Sequence, residues 1–120
     1  MDPVETAKNL VPELRQKADI VILLSHLGTT PDVELAEAVP GIDAVLGGHS
    51  HTRLPQPTLV SVGEPTAFSI AAVPVVQAGR WGDDLGHTRL IFRRDTTTCR
   101  YSLMSCFGEL LRIDRGIHED

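Results

Sequence analysis

The sequence contains few aromatic residues and no long apolar run, and each scarcity excludes a class of protein. Aromatic side chains make up 4% of the 120 residues, and the formal net charge is −5. Because no cluster of lysine and arginine offsets this charge, the composition argues against a surface that binds a nucleic-acid duplex. No stretch approaches the roughly 18 consecutive apolar residues of a transmembrane helix, so no membrane span is predicted.

Cysteine is also scarce, and the two that occur leave the redox compartment open. Cys99 and Cys106 lack the Cys-x-x-Cys spacing of a metal or redox motif, so a disulfide, free thiols and core packing all remain possible. The start, from Met1 to Glu5, is not a basic region followed by a long apolar one, as in a signal peptide. The length and the 42% hydrophobic content predict one small domain or part of a larger one.

The first predicted element is an amphipathic helix. Asp2 is its expected N-cap, Pro3 its first residue and Glu5 the partner in a capping box. Apolar residues then recur at helical spacing as far as Ala18. Since proline lacks an N–H group and crowds the preceding turn, Pro12 predicts a kink or a restart of the helix.

Two continuous aliphatic runs, Ile20–Leu24 and Ile42–Leu46, predict strands that are buried on both faces. Between them, residues 30–32 resemble a helix start, and Val33–Val39 a short helix that stops at Pro40 and Gly41. The alternation of strand, helix and strand predicts an α/β fold with a largely parallel sheet.

Histidines follow both predicted strands. His26 comes shortly after the first, and His49 and His51 lie on the glycine-rich loop after the second. Parallel strands deliver their loops to the same edge of a sheet, so the three imidazoles are expected to converge there. Imidazole is a common ligand of zinc, manganese, iron, cobalt and nickel. The sequence therefore predicts a transition-metal site, the alternative being that these residues only cap the segments that follow.

The second half of the chain is less informative. Residues 53–73 contain three prolines and predict an extended loop or a hairpin. Alternation from Thr88 to Arg93 predicts a half-exposed antiparallel strand, with a turn at 95–98 and a further strand from Cys99 to Met104. Both strands are expected at the antiparallel side of the sheet.

Other polar and aromatic residues near the histidine loop have two interpretations each. Arg53 and Arg80 either approach a phosphate or are only solvated. Trp81 either stacks on a base or forms a packing lid. His87 and His118 are predicted to be solvated bystanders.

Longer segments carry a resemblance to a known family, the calcineurin-like metallophosphoesterases, and within it to the 5′-nucleotidase and 2′,3′-cyclic-nucleotide phosphodiesterase branch. Residues 18–28, ending in Ser25-His26-Leu27-Gly28, and residues 39–52, ending in Gly47-Gly48-His49-Ser50-His51-Thr52, are similar to its two histidine motifs. Residues 75–82 with Leu85-Gly86 are similar to its next strand-turn-strand, and residues 108–111 with Ile113-Asp114 to its closing strand.

The resemblance implies a four-layer α/β/β/α metallophosphatase fold, present here in part, and hydrolysis of phosphate esters of nucleotides. A complete member holds two divalent transition metal ions such as Mn, Zn or Co. His26 and His49 would bind one ion and His51 the other. Asp43 and Ser25 would support the ligands or serve only the fold, and no catalytic residue is assigned.

The family's Asp-x-His, bridging Asp and Gly-Asn-His motifs do not occur in the sequence. The resemblance thus implies that residues 1–120 are the C-terminal part of a catalytic domain, without its N-terminal half and nucleotide-recognition domain. We expect exposed apolar surface and open strand edges, self-association or a complementing N-terminal half, and little or no activity in isolation.

Two alternatives remain, a related dimanganese hydrolase of sulfur oxidation and a non-catalytic remnant that binds a metal or a partner. Relatives are mostly exported, which implies a periplasmic or extracellular location.

Overall fold

The computed structural model describes residues 2–113. These residues form two helices and six strands in the order α1 (Pro3–Arg15), β1 (Ile22–Leu24), α2 (Thr29–Ala38), β2 (Ala44–Leu46), β3 (Thr58–Ser61), β4 (Ala72–Val76), β5 (Asp84–Arg94) and β6 (Tyr101–Arg112).

Helix α1 begins as the sequence predicts. The Asp2 Oδ1 atom accepts hydrogen bonds from the backbone N–H groups of Val4, at 2.8 Å, and Glu5, at 3.1 Å, so Asp2 is the N-cap. The expected restart at Pro12 does not occur, because α1 continues through it. Pro12 and Lys8, whose carbonyl loses its helical partner, are both exposed. Water can therefore bind that carbonyl, which lowers the cost of the proline.

Strands β1, β2 and β4 are parallel, and β3 joins β4 in antiparallel pairing, which gives the sheet order β1-β2-β4-β3. The predicted strand-helix-strand unit is thus confirmed, with shorter strands. Helix α2 starts at Thr29, earlier than predicted, because Pro31 lies in the first turn, where a missing N–H group costs little.

The hairpin expected within residues 53–73 is confirmed as β3 and the start of β4. The prediction for the later strands needs two corrections. Strands β5 and β6 form a separate two-stranded ribbon instead of extending the larger sheet. The segments Cys99–Met104 and 108–111 with Ile113-Asp114, expected as two strands, are largely one strand, β6, and Asp114 lies outside the described residues. The turn between β5 and β6 is as predicted, since Asp95 Oδ1 accepts from the Thr97 and Thr98 N–H groups at 2.7 Å.

The core lies between the two helices and one face of the four-stranded sheet. Val45 and Val75 are fully buried at its centre, with Val11 from α1 and Leu35 from α2 packed around them. The prediction that the first strand is buried on both faces is wrong for this chain, because Ile22 is 50% and Leu24 83% exposed. Within residues 2–113, β1 is an edge strand, and much of the surface of both side chains is left uncovered.

No helix in the described range is both long and apolar enough to cross a membrane.

Candidate metal centre

His26 lies in a loop after β1 that is held by three hydrogen bonds of Ser25. The Ser25 N–H group donates to the Leu46 carbonyl at 2.9 Å, which ties the loop to β2. The Ser25 hydroxyl donates to Asp32 Oδ1 in α2 and accepts from the Leu27 N–H group at 3.2 Å. His26 is therefore flanked by fixed backbone on both sides.

The second loop, residues 47–52, carries His49 and His51 in left-handed backbone conformations, with φ of 75° and 56°. Such conformations cost energy for a non-glycine residue and need support from their surroundings. Part of that support comes from Gln77, which is buried just after β4. Its amide oxygen accepts from the Thr52 N–H group at 2.6 Å, and its amide nitrogen donates to the Gly48 carbonyl at 3.0 Å.

The structure brings His26 and His49 together. Their ring centroids are 5.2 Å apart, and the ring planes are inclined by 72°. Two imidazoles that bind one tetrahedral metal through nitrogens about 2.0–2.1 Å away have centroids roughly 5 Å apart, so the pair fits a shared ion in spacing and in ligand type.

His51 does not complete a three-histidine cluster with them. Its ring instead lies edge-to-face with Trp81, at a centroid distance of 6.2 Å. Among residues 2–113, no group of three or more histidine, cysteine, aspartate or glutamate side chains is arranged to hold a metal ion. Of the three predicted ligands, His26 and His49 thus lie together, and His51 lies apart from them.

Both glycines that precede His49 face side chains from other elements. A Cβ atom on Gly48 would lie 2.9 Å from His26 Nδ1, and one on Gly47 would lie 2.3 Å from Asp32 Oδ2. Real Cβ atoms do not approach other atoms so closely, so the absence of side chains at both positions permits this arrangement.

Asp32 and Gln77, which hydrogen-bond to the two histidine loops, were not identified from the sequence. Asp32 is fully buried, and its Oδ2 atom has no hydrogen-bond partner within residues 2–113. The one available signal for Gln77 was its position at the carboxyl end of a strand, where functional residues concentrate. Of the two residues that were named as supporting candidates, Ser25 contacts Asp32, whereas Asp43 accepts from the Val21 N–H group at 2.7 Å and pairs with Arg15.

The Arg53 side chain forms two hydrogen bonds with the carboxylate of Asp84. Its Nε–H donates to Asp84 Oδ2 at 2.7 Å, and a second guanidinium nitrogen donates to Oδ1 at 3.2 Å. The hydrogen bond from Arg53 lowers the pKa of Asp84, whose side chain is almost completely buried, and Asp84 in turn raises the pKa of Arg53. Arg53 therefore joins the segment after the histidine loop to the start of β5.

Four further residues that the sequence singles out are His87, His118 and the two cysteines. His87 Nδ1 lies 3.0 Å from Glu109 Oε1 across the ribbon, so His87 has a partner besides solvent. His118 lies outside the described residues. Both cysteines are free thiols, with Cys99 exposed and Cys106 half-buried, and burial raises the pKa of the Cys106 thiol.

Comparison with known proteins relates the chain to nucleotide phosphoesterases. The sequence matches no family model. It is 34% identical over 107 residues to a 2′,3′-cyclic-nucleotide 2′-phosphodiesterase/3′-nucleotidase of Salmonella typhimurium, covering 79% of this chain and 16% of that protein. It is 38% identical over 93 residues to the trifunctional nucleotide phosphoesterase protein YfkN of Bacillus subtilis, covering 76% and 6%.

The fold has a counterpart among solved structures. The 5′-nucleotidase precursor from Thermus thermophilus superposes with a TM-score of 0.76 at 32% identity, over 94% of this chain and 23% of that one. The chain thus spans less than a quarter of the length of each of these three relatives.

Proposed function

Because the chain belongs, as a segment, to the calcineurin-like metallophosphoesterases of the 5′-nucleotidase and cyclic-nucleotide phosphodiesterase type, we propose that it forms one side of a two-metal centre that hydrolyses nucleotide phosphate esters. The observation that carries the proposal is the pair of His26 and His49, 5.2 Å apart at the ends of neighbouring parallel strands.

In this proposal His26 and His49 bind one divalent ion, such as Mn, Zn or Co, and His51 binds the other. The position of His51 beside Trp81, rather than with the other two rings, supports this division. When bound, the ions would activate a water molecule and neutralise phosphate oxygens. The chain's own contribution is to fix its imidazoles, which Gln77 does for the second loop through bonds to Thr52 and Gly48.

The remaining ligands have to come from elsewhere, since two imidazoles do not fill the coordination shell of a transition metal. We propose that residues 1–120 are the C-terminal part of a catalytic domain and that an N-terminal half completes the centre. The exposed side chains of Ile22 and Leu24 support this. A second feature that supports an additional segment is an apolar cavity of about 400 Å³. It lies between the sheet and the ribbon and is lined by Leu46 and Leu110, among others.

The substrate class and the location follow from the resemblance. We propose a nucleotide or other phosphoester as the substrate and a periplasmic or extracellular site of action. Since the relatives that were compared bear the names of nucleotide enzymes, no observation favours the alternative sulfur substrate.

The test combines metal binding with turnover. The chain is dialysed against Mn, Co or Zn, its metal content is measured, and hydrolysis of 5′-AMP and of a chromogenic phosphodiester is followed. We expect metal binding that weakens by at least about 100-fold in the double variant His26→Ala, His49→Ala, because the loss of a ligand exceeds the effect of losing a residue that supports one. His87→Ala is the matched control, since His87 lies on the ribbon beside Glu109.

Each outcome has a distinct meaning. Metal binding without turnover supports an incomplete centre, and turnover that the double variant abolishes supports the function while refuting the expected inactivity of the chain alone. If the wild type and the double variant bind metal equally, the assignment of these histidines is wrong.

A further inference from the structure

Helix α2 has no capping side chain at its start. Gly28 occupies the N-cap position, with φ of 106°, and offers no side-chain acceptor. The first N–H groups of a helix have no partner within the helix, so they need acceptors from elsewhere. The Thr29 N–H group, the first of α2, donates to the hydroxyl of Ser50 at 3.1 Å. Ser50 therefore replaces the missing cap from a loop 21 residues further along the chain.

The same hydroxyl belongs to a network that holds it in place. It donates to the amide oxygen of Gln77 at 3.0 Å. Since a serine hydroxyl has a single hydrogen, the Thr29 hydroxyl is the donor in its own contact with Ser50, at 3.0 Å. The Gln77 amide nitrogen donates to the Thr29 hydroxyl at 3.2 Å, and Gln77 is buried. Ser50, Thr29 and Gln77 thus form a closed triangle of hydrogen bonds.

The triangle lies next to both members of the histidine pair. Thr29 is the third residue after His26, and Ser50 directly follows His49. On the other side of His26, the Ser25 N–H group is bonded to the carbonyl of Leu46. The bond from Thr29 to Ser50 therefore ties the loop that carries His26 to the loop that carries His49, whose ring centroids are 5.2 Å apart.

We propose that Ser50 is a positioning residue that sets the approach of His26 to His49 and so prepares the pair for a shared metal ion. The inference rests on the proposed metal-dependent function, and it adds what holds the two ligands together before the ion binds. Ligands that are arranged in advance bind more tightly, because less ordering has to occur on binding. Ser50 does not itself bind the metal; it acts through Thr29 and Gln77.

Calorimetric titration of the full chain with Zn tests the effect on affinity. Ser50→Ala removes the hydroxyl, whereas Ser50→Thr keeps it. We expect Ser50→Ala to lower the affinity for Zn by about 10- to 100-fold, as when a residue that supports a ligand is lost, and Ser50→Thr to keep most of it. Ser69→Ala is the matched control, because the Ser69 hydroxyl also accepts from a backbone N–H group at 3.1 Å, that of Ala71, between β3 and β4.

A measurement without metal reports the approach of the two imidazoles directly. In chains with isotope-labelled histidine, we expect a nuclear Overhauser effect between the ring protons of His26 and His49 in the wild type and in Ser50→Thr, and its loss in Ser50→Ala. Urea unfolding of the same variants measures stability. A cap that served only the helix would lower stability and leave both this signal and the Zn affinity of the folded chain unchanged.

The outcomes separate this role from the function on which it rests. If the wild type binds Zn, an unchanged affinity in Ser50→Ala, or a loss no greater than in Ser69→Ala, refutes the role of Ser50 alone. Equal losses in Ser50→Ala and Ser50→Thr refute the role of the hydroxyl. If the wild type binds no Zn, the metal site is refuted. A ring contact that Ser50→Ala abolishes then still supports the positioning role, and one that survives refutes it as well.

Discussion

Gly47 and Gly48 precede His49, and each lies against a side chain from another part of the chain. The missing Cβ of Gly48 leaves room for the His26 ring, and the missing Cβ of Gly47 leaves room for the buried Asp32 carboxylate. The two neighbours differ in mobility, because His26 is exposed in a loop whereas Asp32 is enclosed. Equal substitutions at adjacent positions should therefore have unequal effects.

Gly48→Ala is predicted to weaken metal binding with little effect on stability. The added methyl group meets His26 Nδ1 at 2.9 Å, and the imidazole has to turn away from His49. Misplacement of a ligand should reduce metal affinity by about 10- to 100-fold, as when its supporting residues are lost. Calorimetric titration with Zn or Mn measures the affinity, and urea unfolding measures the stability.

Gly47→Ala is predicted to have the opposite effect to Gly48→Ala, a loss of stability. Its methyl group would lie 2.3 Å from Asp32 Oδ2, so α2 and the loop must separate. We expect a loss of about 1–3 kcal/mol or more in the free energy of unfolding, as for other overpacked interiors.

The Gly48→Ala prediction has a contrary outcome of its own. Equal metal affinity in Gly48→Ala and the wild type would contradict the proposed pairing of His26 with His49.

The two thiols should differ in reactivity. The thiolate is the reactive form, and burial raises the pKa of the Cys106 thiol, so less of Cys106 is ionised at mildly alkaline pH. Exposed Cys99 is predicted to react with iodoacetamide faster than Cys106. Peptide mass spectrometry after timed quenching measures both rates, and faster labelling of Cys106 would contradict the burial seen in β6.

At the scale of elements, one ion pair connects the two sheets of the described chain. Arg53, which follows the histidine loop, bonds to Asp84 at the first position of β5. Asp84 also lies 3.8 Å from Arg112 at the end of β6. The pair therefore helps to fix the ribbon next to the loop that carries His49 and His51.

The pair should make stability depend on pH in the acid range. Since Arg53 lowers the pKa of Asp84 in the folded state, the stabilisation is present above the ordinary value of 3.8 and is lost as the pH falls from there toward the folded pKa. Asp84→Asn should lower stability at neutral pH and make its decline below about pH 4 less steep. Urea unfolding at a series of pH values measures both effects.

Asp83→Asn is the control for this prediction. Asp83 is the neighbouring carboxylate, but it is exposed, and its pairing with Arg112 is long, at 3.8 Å. A decline with pH that is the same in Asp84→Asn as in Asp83→Asn would show that the pair of Arg53 and Asp84 does not govern acid stability.

At the scale of the whole molecule, the described chain is more extended than a compact domain of similar length. Its radius of gyration is 15.6 Å, and its extents are 50 × 36 × 27 Å, whereas a compact domain of this length has a radius of gyration of about 13 Å. The exposed apolar residues of β1 at the sheet edge add to this picture. Such an edge favours pairing with another chain.

The chain alone is therefore predicted to self-associate through β1. Leu24→Lys, which places a charge on the edge strand at a position that is 83% exposed, should shift sedimentation toward the monomer. Stability should change by no more than about 0.5 kcal/mol, as for other surface substitutions. Leu59→Lys, on the opposite edge strand β3, is the matched control. Association that Leu24→Lys leaves unchanged would exclude β1 as the interface.

The elements of this fold follow from local patterns. Capping by Asp2, the aliphatic runs of β1 and β2, and the turn at Asp95 depend on residues close in sequence, so they were predictable. The parallel pairing of β1 and β2, and with it the approach of His26 to His49, follows from the handedness and order of a strand-helix-strand unit. The sequence alone therefore determined the α/β architecture and the approach of two of the three predicted ligands to each other.

The tertiary structure decided the features that depend on distant residues. Gln77 supports the histidine loop from its position just after β4, Asp32 faces Gly47 from α2, and His51 turns toward Trp81. The exposure of Ile22 and Leu24 belongs to the same group, since an apolar run predicts a strand but does not say which layer covers it. These contacts join residues far apart in the chain, and neither helical nor strand periodicity carries information about such partners.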